Sequence, residues 1–350
     1  MSLTRTHLLL ILCTFMAPPA MSAQNTLNLF MWEDTLSPEV IVQWQKQSAS
    51  TLKFTHFDND DERNVLMSHS ERLPFDIIVL DNVSAQIYGQ LGRLENLSHL
   101  ENRDNQTPQW QQACGDYAMP YFWGVVGIVY RKDKVPTPPK TWQAFIEPPA
   151  ELSGHIGMIN DTVETFLPVL SSLGIVPETE NSQLLQQSFT KMTAFSQHVL
   201  TYEYVLSFVR SNTDAEQLYM ALAYSGDEHS LNRYQDQAQW AFTLPQGTPY
   251  IWVDCIAVNK TSNNKQLAMA FLDYLSDPTI AAKNATDVKA ATTNRSALKL
   301  LPQWYLNDAS LAPQEAWIEQ GQIDTPLSAA NISLRAKVIN RILKHHETQH

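Results

Sequence analysis

Glycine is scarce in this chain, 11 among 350 residues. No G-x-G-x-x-G and no Walker loop can be read from them, which excludes phosphate cradles of that kind. The G-x-S-x-G elbow of serine hydrolases and the H-E-x-x-H pair of zinc proteases are missing too. The ten histidines show no ligand spacing, and the closing "HHETQH" reads as a frayed tail. Positive charge is also short: 24 Lys and Arg against 36 Asp and Glu, net -12. That balance argues against nucleic acid and anionic lipid as partners. It suits a cationic ligand, and equally suits an acidic protein that is merely soluble. No enzyme, cofactor or metal is expected, because no catalytic or ligating set can be located.

Long apolar runs are lacking as well. "LLLILCTFMA" (Leu8 to Ala17) spans only ten residues, too few to cross a bilayer. With Arg5 before it and "PPAMSA" after it, the start reads as a secretory signal, residues 1–23, cut after Ala23. Leu12 before Cys13 argues against a lipoprotein cysteine. Export would leave two of the 3 cysteines, Cys114 and Cys255. An oxidising compartment allows one disulfide between them; two separate buried thiols are the alternative.

What remains is rich in aromatics, with 9 Trp, 12 Tyr and 13 Phe, and its length allows roughly two domains. Strands and helices alternate. "LNLFM" is a strand, then a helix starts at Pro38 behind the N-cap Ser37. "LKFTHF" (52–57) is a strand, 60–69 a helix, and "FDIIVL" (75–80) a strand buried on both faces. "VVGIVYR", "HIGMIN", "LYMALAY" and "IWVDCIAVN" continue as strands, with helices over "TVETFLPVLSSLG", residues 264–277 and "SLRAKVINRILKHH". Repeated βα units imply an α/β fold with a mainly parallel sheet. No linker separates the halves, so strands are expected to cross between two domains.

Ligands of such sheets bind at the carboxyl ends of strands. That rule selects Trp32, Glu33 and Asp34, then Asp81, Asp161 and Tyr224. Trp252 and Asp254, two apart on a strand, share a face.

At "WEDTLSP", "FDIIVLDN", "MPYFWGVVGIVY" and "IWVDCIAVN" the chain resembles the periplasmic polyamine-binding proteins of spermidine/putrescine uptake, in order from about Leu27 to Leu301. The resemblance implies a type II periplasmic binding protein fold: two α/β lobes with the ligand in the cleft and crossing strands as hinge. Lobe 1 would comprise residues 24–130 plus 253–302, and lobe 2 residues 131–252 plus 303–350. Residue by residue, it implies Trp32 as the first aromatic wall and Asp34 as the acid two residues on. Asp81 would be a polar contact, Asp161 and Glu164 a pair of acids three apart, and Trp252 and Asp254 the late ring and the amine-gripping acid. Tyr224 stands where Trp is usual. Thr35 and Val83 stand where the uptake proteins often carry Tyr, and no counterpart of the family's C-terminal Gln is assigned. "WEDTLSP" looks more like the norspermidine/spermidine sensor branch. The resemblance then implies a periplasmic monomer that docks on an inner-membrane GGDEF/EAL protein of cyclic-di-GMP turnover and biofilm control. An ABC permease is the alternative partner.

The chemistry agrees with the implied ligand. Each buried ammonium needs acceptors or a carboxylate, and methylenes favour flat walls whose rings also attract cations by about 0.5–2 kcal/mol each. Plainer roles compete: Asp161 as a helix N-cap with Glu164 completing a capping box, Trp252 as core, and Glu33 facing solvent. Trp123, Phe122 and Trp142 read as structural.

Overall fold

The structure is a computed structural model that describes residues 25–57, 59–69, 72–235, 239–312 and 315–348. The signal segment, its cleavage point and Cys13 lie outside the described residues.

Among the described residues one mixed sheet contains β1 (Asn25–Trp32), β2 (Ser50–Phe57), β3 (Ile77–Asp81), β4 (Met119–Arg131), β5 (Ile156–Gly157), β6 (Val199–Thr201), β7 (Met220–Tyr224), β8 (Trp240–Thr243), β9 (Tyr250–Val258), β10 (Ala291–Thr292) and β11 (Gln322–Ile323). Its main path runs β2-β1-β3-β9-β4-β7-β5-β6. The two outer parts, β2-β1-β3 and β7-β5-β6, are parallel. Along this path the central strands β9 and β4 are antiparallel to each other and to their neighbours, while β11 joins β9 in parallel off it. Both central strands therefore serve both halves of the molecule. Fold class and cleft correspond to the two-lobed expectation.

Two large apolar cores flank this centre. The first gathers Leu29, Ile78, Trp110, Val125, Val253, Phe271 and, late in the chain, Tyr305 and Leu311. The second gathers Val126, Phe145, Phe166, Leu185, Tyr250 and, from the last helix, Ile339 and Ile342. Trp123 is buried and packs 4.7 Å from Trp110; Phe122 and Trp142 are buried too. Cys114, ending the helix Pro108–Cys114, is disulfide-bonded to Cys255 of β9, with Cα atoms 5.6 Å apart.

Local chemistry sets the elements that carry the cleft. Ser37 caps the helix Pro38–Ser48, its Oγ accepting from the Glu39 and Val40 amides, with Pro38 opening the first turn. The expected helix over 162–174 is shorter, Leu167–Ser172. Pro168 in the first turn fixes its start, and the residues before it form turns. The Asp161 carboxylate still caps, but caps those turns, accepting from the Val163 and Glu164 amides at 2.6 and 3.0 Å. Its own amide donates to Thr165 Oγ1, so Thr165 rather than Glu164 completes the reciprocal pair.

Candidate functional site

All eight residues selected from the sequence line one cavity of about 880 Å³ between the two cores. β1 ends there with Trp32, β3 with Asp81 and β7 with Tyr224, while β9 presents Trp252 and Asp254. The rings form a chain of edge-on and tilted neighbours: Trp32 to Tyr204 at 6.1 Å, Tyr204 to Tyr224 at 5.7 Å, and Tyr224 to Trp252 at 5.7 Å. Gly124, paired with Trp252 across the strands, keeps this wall in place. A Cβ there would lie 2.5 Å from Ser225 Oγ and 2.7 Å from the Trp252 ring.

The acids differ in how far the protein already satisfies them. Asp81 caps the helix Asn82–Gln90 through the Ser84 amide, 2.7 Å away, and pairs with Arg63. Asp254 sits directly opposite Asp81 in the antiparallel register. Like charges so placed repel. Glu164 lies beside Asp161, with Asp324 and Asp60 near enough to act on it. Asp34 adopts a left-handed backbone, φ 60°, tolerated by Asp more than by most residues. It reaches across the cleft, where Tyr234 donates to its carboxylate. Glu33 is paired with Arg210 at 2.5 Å across the same opening, not merely solvated.

Sequence reasoning missed six further residues that line the cavity: Asp60, Asp61, Tyr204, Asp227, Tyr250 and Asp324. The Tyr204 hydroxyl donates to Asp227 at 2.9 Å, and the Tyr250 hydroxyl to Asp324 at 2.8 Å. Asp60 and Asp61 open a helix, where acids ordinarily complement the dipole, so nothing set them apart. Asp324 follows the two-residue β11, too short to announce a strand end. The last helix lines the cavity with Ile332 and Ala336, and its buried Arg335 donates to the Thr162 carbonyl at 3.1 Å and steadies the Asp161–Glu164 turn. Outside the cavity, Glu228, His229 and Asp308 bring metal-ligand types within 4.8 Å of one another. His229 Nε2 lies 3.0 Å from Asp308 and 3.7 Å from Glu228, so the three side chains already contact one another.

The electrostatics are those of a site built for positive charge. Burial first, then neighbouring Asp81, pushes Asp254 up to about 7, against the pull of Arg63 and a hydrogen bond from Trp32. Burial, with Asp81 again adding to it, pushes Asp324 up to about 8. Burial and then Asp161 hold Glu164 well above the usual carboxylate range. A carboxyl raised on folding binds more protons in the folded chain, so stability falls as pH climbs through the interval between its unfolded and folded values. Between pH 5 and 8 the unliganded protein is therefore expected to lose thermal stability, and Asp254→Asn/Asp324→Asn to flatten the slope. Asp308, lowered to about 2, titrates below that window. Thermal unfolding from pH 5 to 8 checks this; a melting temperature that rises with pH would contradict it.

The family model described as bacterial extracellular solute-binding protein matches residues 40–313. The chain is 47% identical over 323 residues to the norspermidine sensor of Vibrio cholerae serotype O1, covering 92% of this chain and 90% of the relative. It is 24% identical to a putrescine-binding periplasmic protein of Pseudomonas aeruginosa, with 89% and 90% covered. Among solved structures, a putative spermidine/putrescine ABC transporter from Listeria monocytogenes superposes with TM-score 0.79 at 25% identity, covering 91% of this chain and 99% of that one. These relatives are named as binding, sensing or transport proteins. Among the described residues, no helix is long and apolar enough to cross a membrane.

Proposed function

The chain belongs to the bacterial extracellular solute-binding protein family, and from that premise we propose that it is a periplasmic polyamine sensor, freed of its signal after Ala23. A linear polyamine lies in the cavity, its methylenes against Trp32, Tyr224 and Trp252. Its ammonium groups face Asp254 at one point and the Asp161, Glu164 and Asp324 group at another, with Asp34 at the rim. Asp81 shapes the field beneath Asp254. The division proposed from sequence, residues 24–130 plus 253–302 as lobe 1 and 131–252 plus 303–350 as lobe 2, is kept as a proposal; Tyr305 and Leu311 pack in the first core. The protein acts as a monomer without cofactor or catalysis, and its liganded shape is read by an inner-membrane GGDEF/EAL enzyme controlling biofilm.

The observation that carries this reading is the combination of a ring-walled cavity with carboxyls whose proton affinity is raised by burial and raised further by the acids beside them. Such groups bind protons for want of another cation, and a polyammonium chain supplies one. The 47% identity to a norspermidine sensor supports sensing over delivery. Substrate delivery to a spermidine/putrescine ABC transporter is the second reading, favoured by the putrescine-binding relative.

Calorimetry with spermidine, norspermidine and putrescine, on protein unfolded and refolded to shed carried ligand, tests the ligand class. Binding is expected with release of protons near pH 7, because an ammonium lowers the raised carboxyls. No heat with any of the three would end the polyamine reading. A pull-down from membranes separates the partners: a GGDEF/EAL protein for sensing, a permease for uptake.

A further inference from the structure

Arg63 is the one cation that the protein itself buries beneath the cavity among the described residues that act on Asp254. It lies on the helix Asp60–His69, only 1% exposed, with its guanidinium 5.3 Å from the centre of the Phe57 ring. Phe57 in turn packs 4.6 Å from Trp32. Arg63 pairs with both Asp60 and Asp81, which reach it from different elements, and approaches Asn64 Oδ1 and Ser84 Oγ at 3.3 Å. Its Nε has no acceptor among the described residues. A guanidinium stays charged in any such setting. A buried charge is retained at a cost unless it is matched, and here it is matched by two carboxylates that line the cavity.

We infer that Arg63 stands in for one ammonium of the ligand, and so sets how many positive charges the cavity accepts. This rests on the polyamine reading and deepens it. When ionised, Asp60 and Asp81 together offer two negative charges and Arg63 reduces them to one; burial raises Asp60 well above the usual carboxylate range against the pull of Arg63. The carboxylates left without an internal cation are those toward Asp254 and toward Asp161, Glu164 and Asp324. An amine with one more ammonium would have to compete with a cation that cannot leave. Arg63 does not line the cavity, so it is a specificity-determining positioning residue that acts through Asp60 and Asp81 rather than by touching the ligand.

The test compares affinities for putrescine, spermidine and spermine, a diamine, a triamine and a tetraamine, by calorimetry on the mature protein. In Arg63→Gln the ratio of spermine to spermidine affinity is expected to rise tenfold or more, while Arg63→Lys, which keeps the charge, leaves the ratio within about twofold of the parent. Asp60→Asn matches Arg63 one to one with Asp81 and should move the preference the other way, toward putrescine. Adding Arg63→Met to Asp60→Asn should then restore the parent ratio, which a purely structural arginine would not do. This second pair decides the matter if Arg63→Gln does not yield folded protein. An unchanged ratio in Arg63→Gln, or no restoration in the double variant, overturns the inference. A parent protein that binds none of the three amines overturns the polyamine reading instead.

Discussion

Asp254→Asn is expected to weaken polyamine binding at least tenfold. The side chain lies on β9 one pleat from Trp252, so an ammonium gripped by the acid has the indole on the same face. Arg63 acts on Asp254 only at a distance, since its two terminal nitrogens are given to Asp60 and Asp81. Asp254 is thus the acid of the β3–β9 pair that remains open to an external cation. Asparagine keeps the shape and keeps an acceptor for Trp32, so the change is chiefly one of charge. Truncating one member of a buried charged pair costs about 2–5 kcal/mol; because Asp254 is only half-buried, the floor set here is lower, tenfold or about 1.4 kcal/mol. Titration calorimetry at pH 8, where the parent carboxyl is largely ionised, reads the effect directly. Unchanged affinity would remove Asp254 from the site.

Removing the disulfide should produce the largest loss of stability. Cys114 and Cys255 are fully buried and lie 141 residues apart in sequence. Closing a loop of that length restricts the unfolded chain by about 5 kcal/mol on the entropic account, with measured losses nearer 2–5 kcal/mol. Cys114→Ala/Cys255→Ala leaves small apolar groups in the core and no unpaired thiol. Its unfolding free energy, from denaturant titration of the oxidised parent and the variant, should fall by about 2–5 kcal/mol. A loss below about 1 kcal/mol would mean that the bond restrains little that the sheet does not already hold. Because Cys255 follows Asp254 on β9, the same variant shows whether the site depends on the cross-link, and the β3–β9–β4 pairing should keep polyamine affinity near that of the parent.

Much of this architecture was legible because period and punctuation agreed. The run before Asp81 is buried throughout, and Ser37-Pro38 starts a helix where it should. Strand ends located the rings and acids that the sheet brings together, since that rule needs only chain order. It could not reach Tyr204, which opens a helix, or Asp324, which follows a strand of two residues. The helix expected from Thr162 failed for a readable reason: Pro168 marked its true beginning, and Asp161 and Thr165 satisfy the preceding amides in turns. Nothing in the sequence set Arg63 apart on a polar helix; Asp60 is its neighbour on that helix, but Asp81 reaches it from β3, which is a tertiary fact.

The contacts at the rim have a consequence of their own. Glu33 with Arg210, and Asp34 with Tyr234, join the two halves of the molecule at the mouth of the cavity. Glu33 and Arg210 line the mouth of the cavity and pair with each other, so the free energy of their contact is expected to be common to every amine enclosed. Such a contact acts as a gain control: weakening it raises the concentration at which every ligand is felt, by one common factor, and leaves their ranking alone. Sensitivity at the rim and selectivity at the floor can then be tuned by separate substitutions.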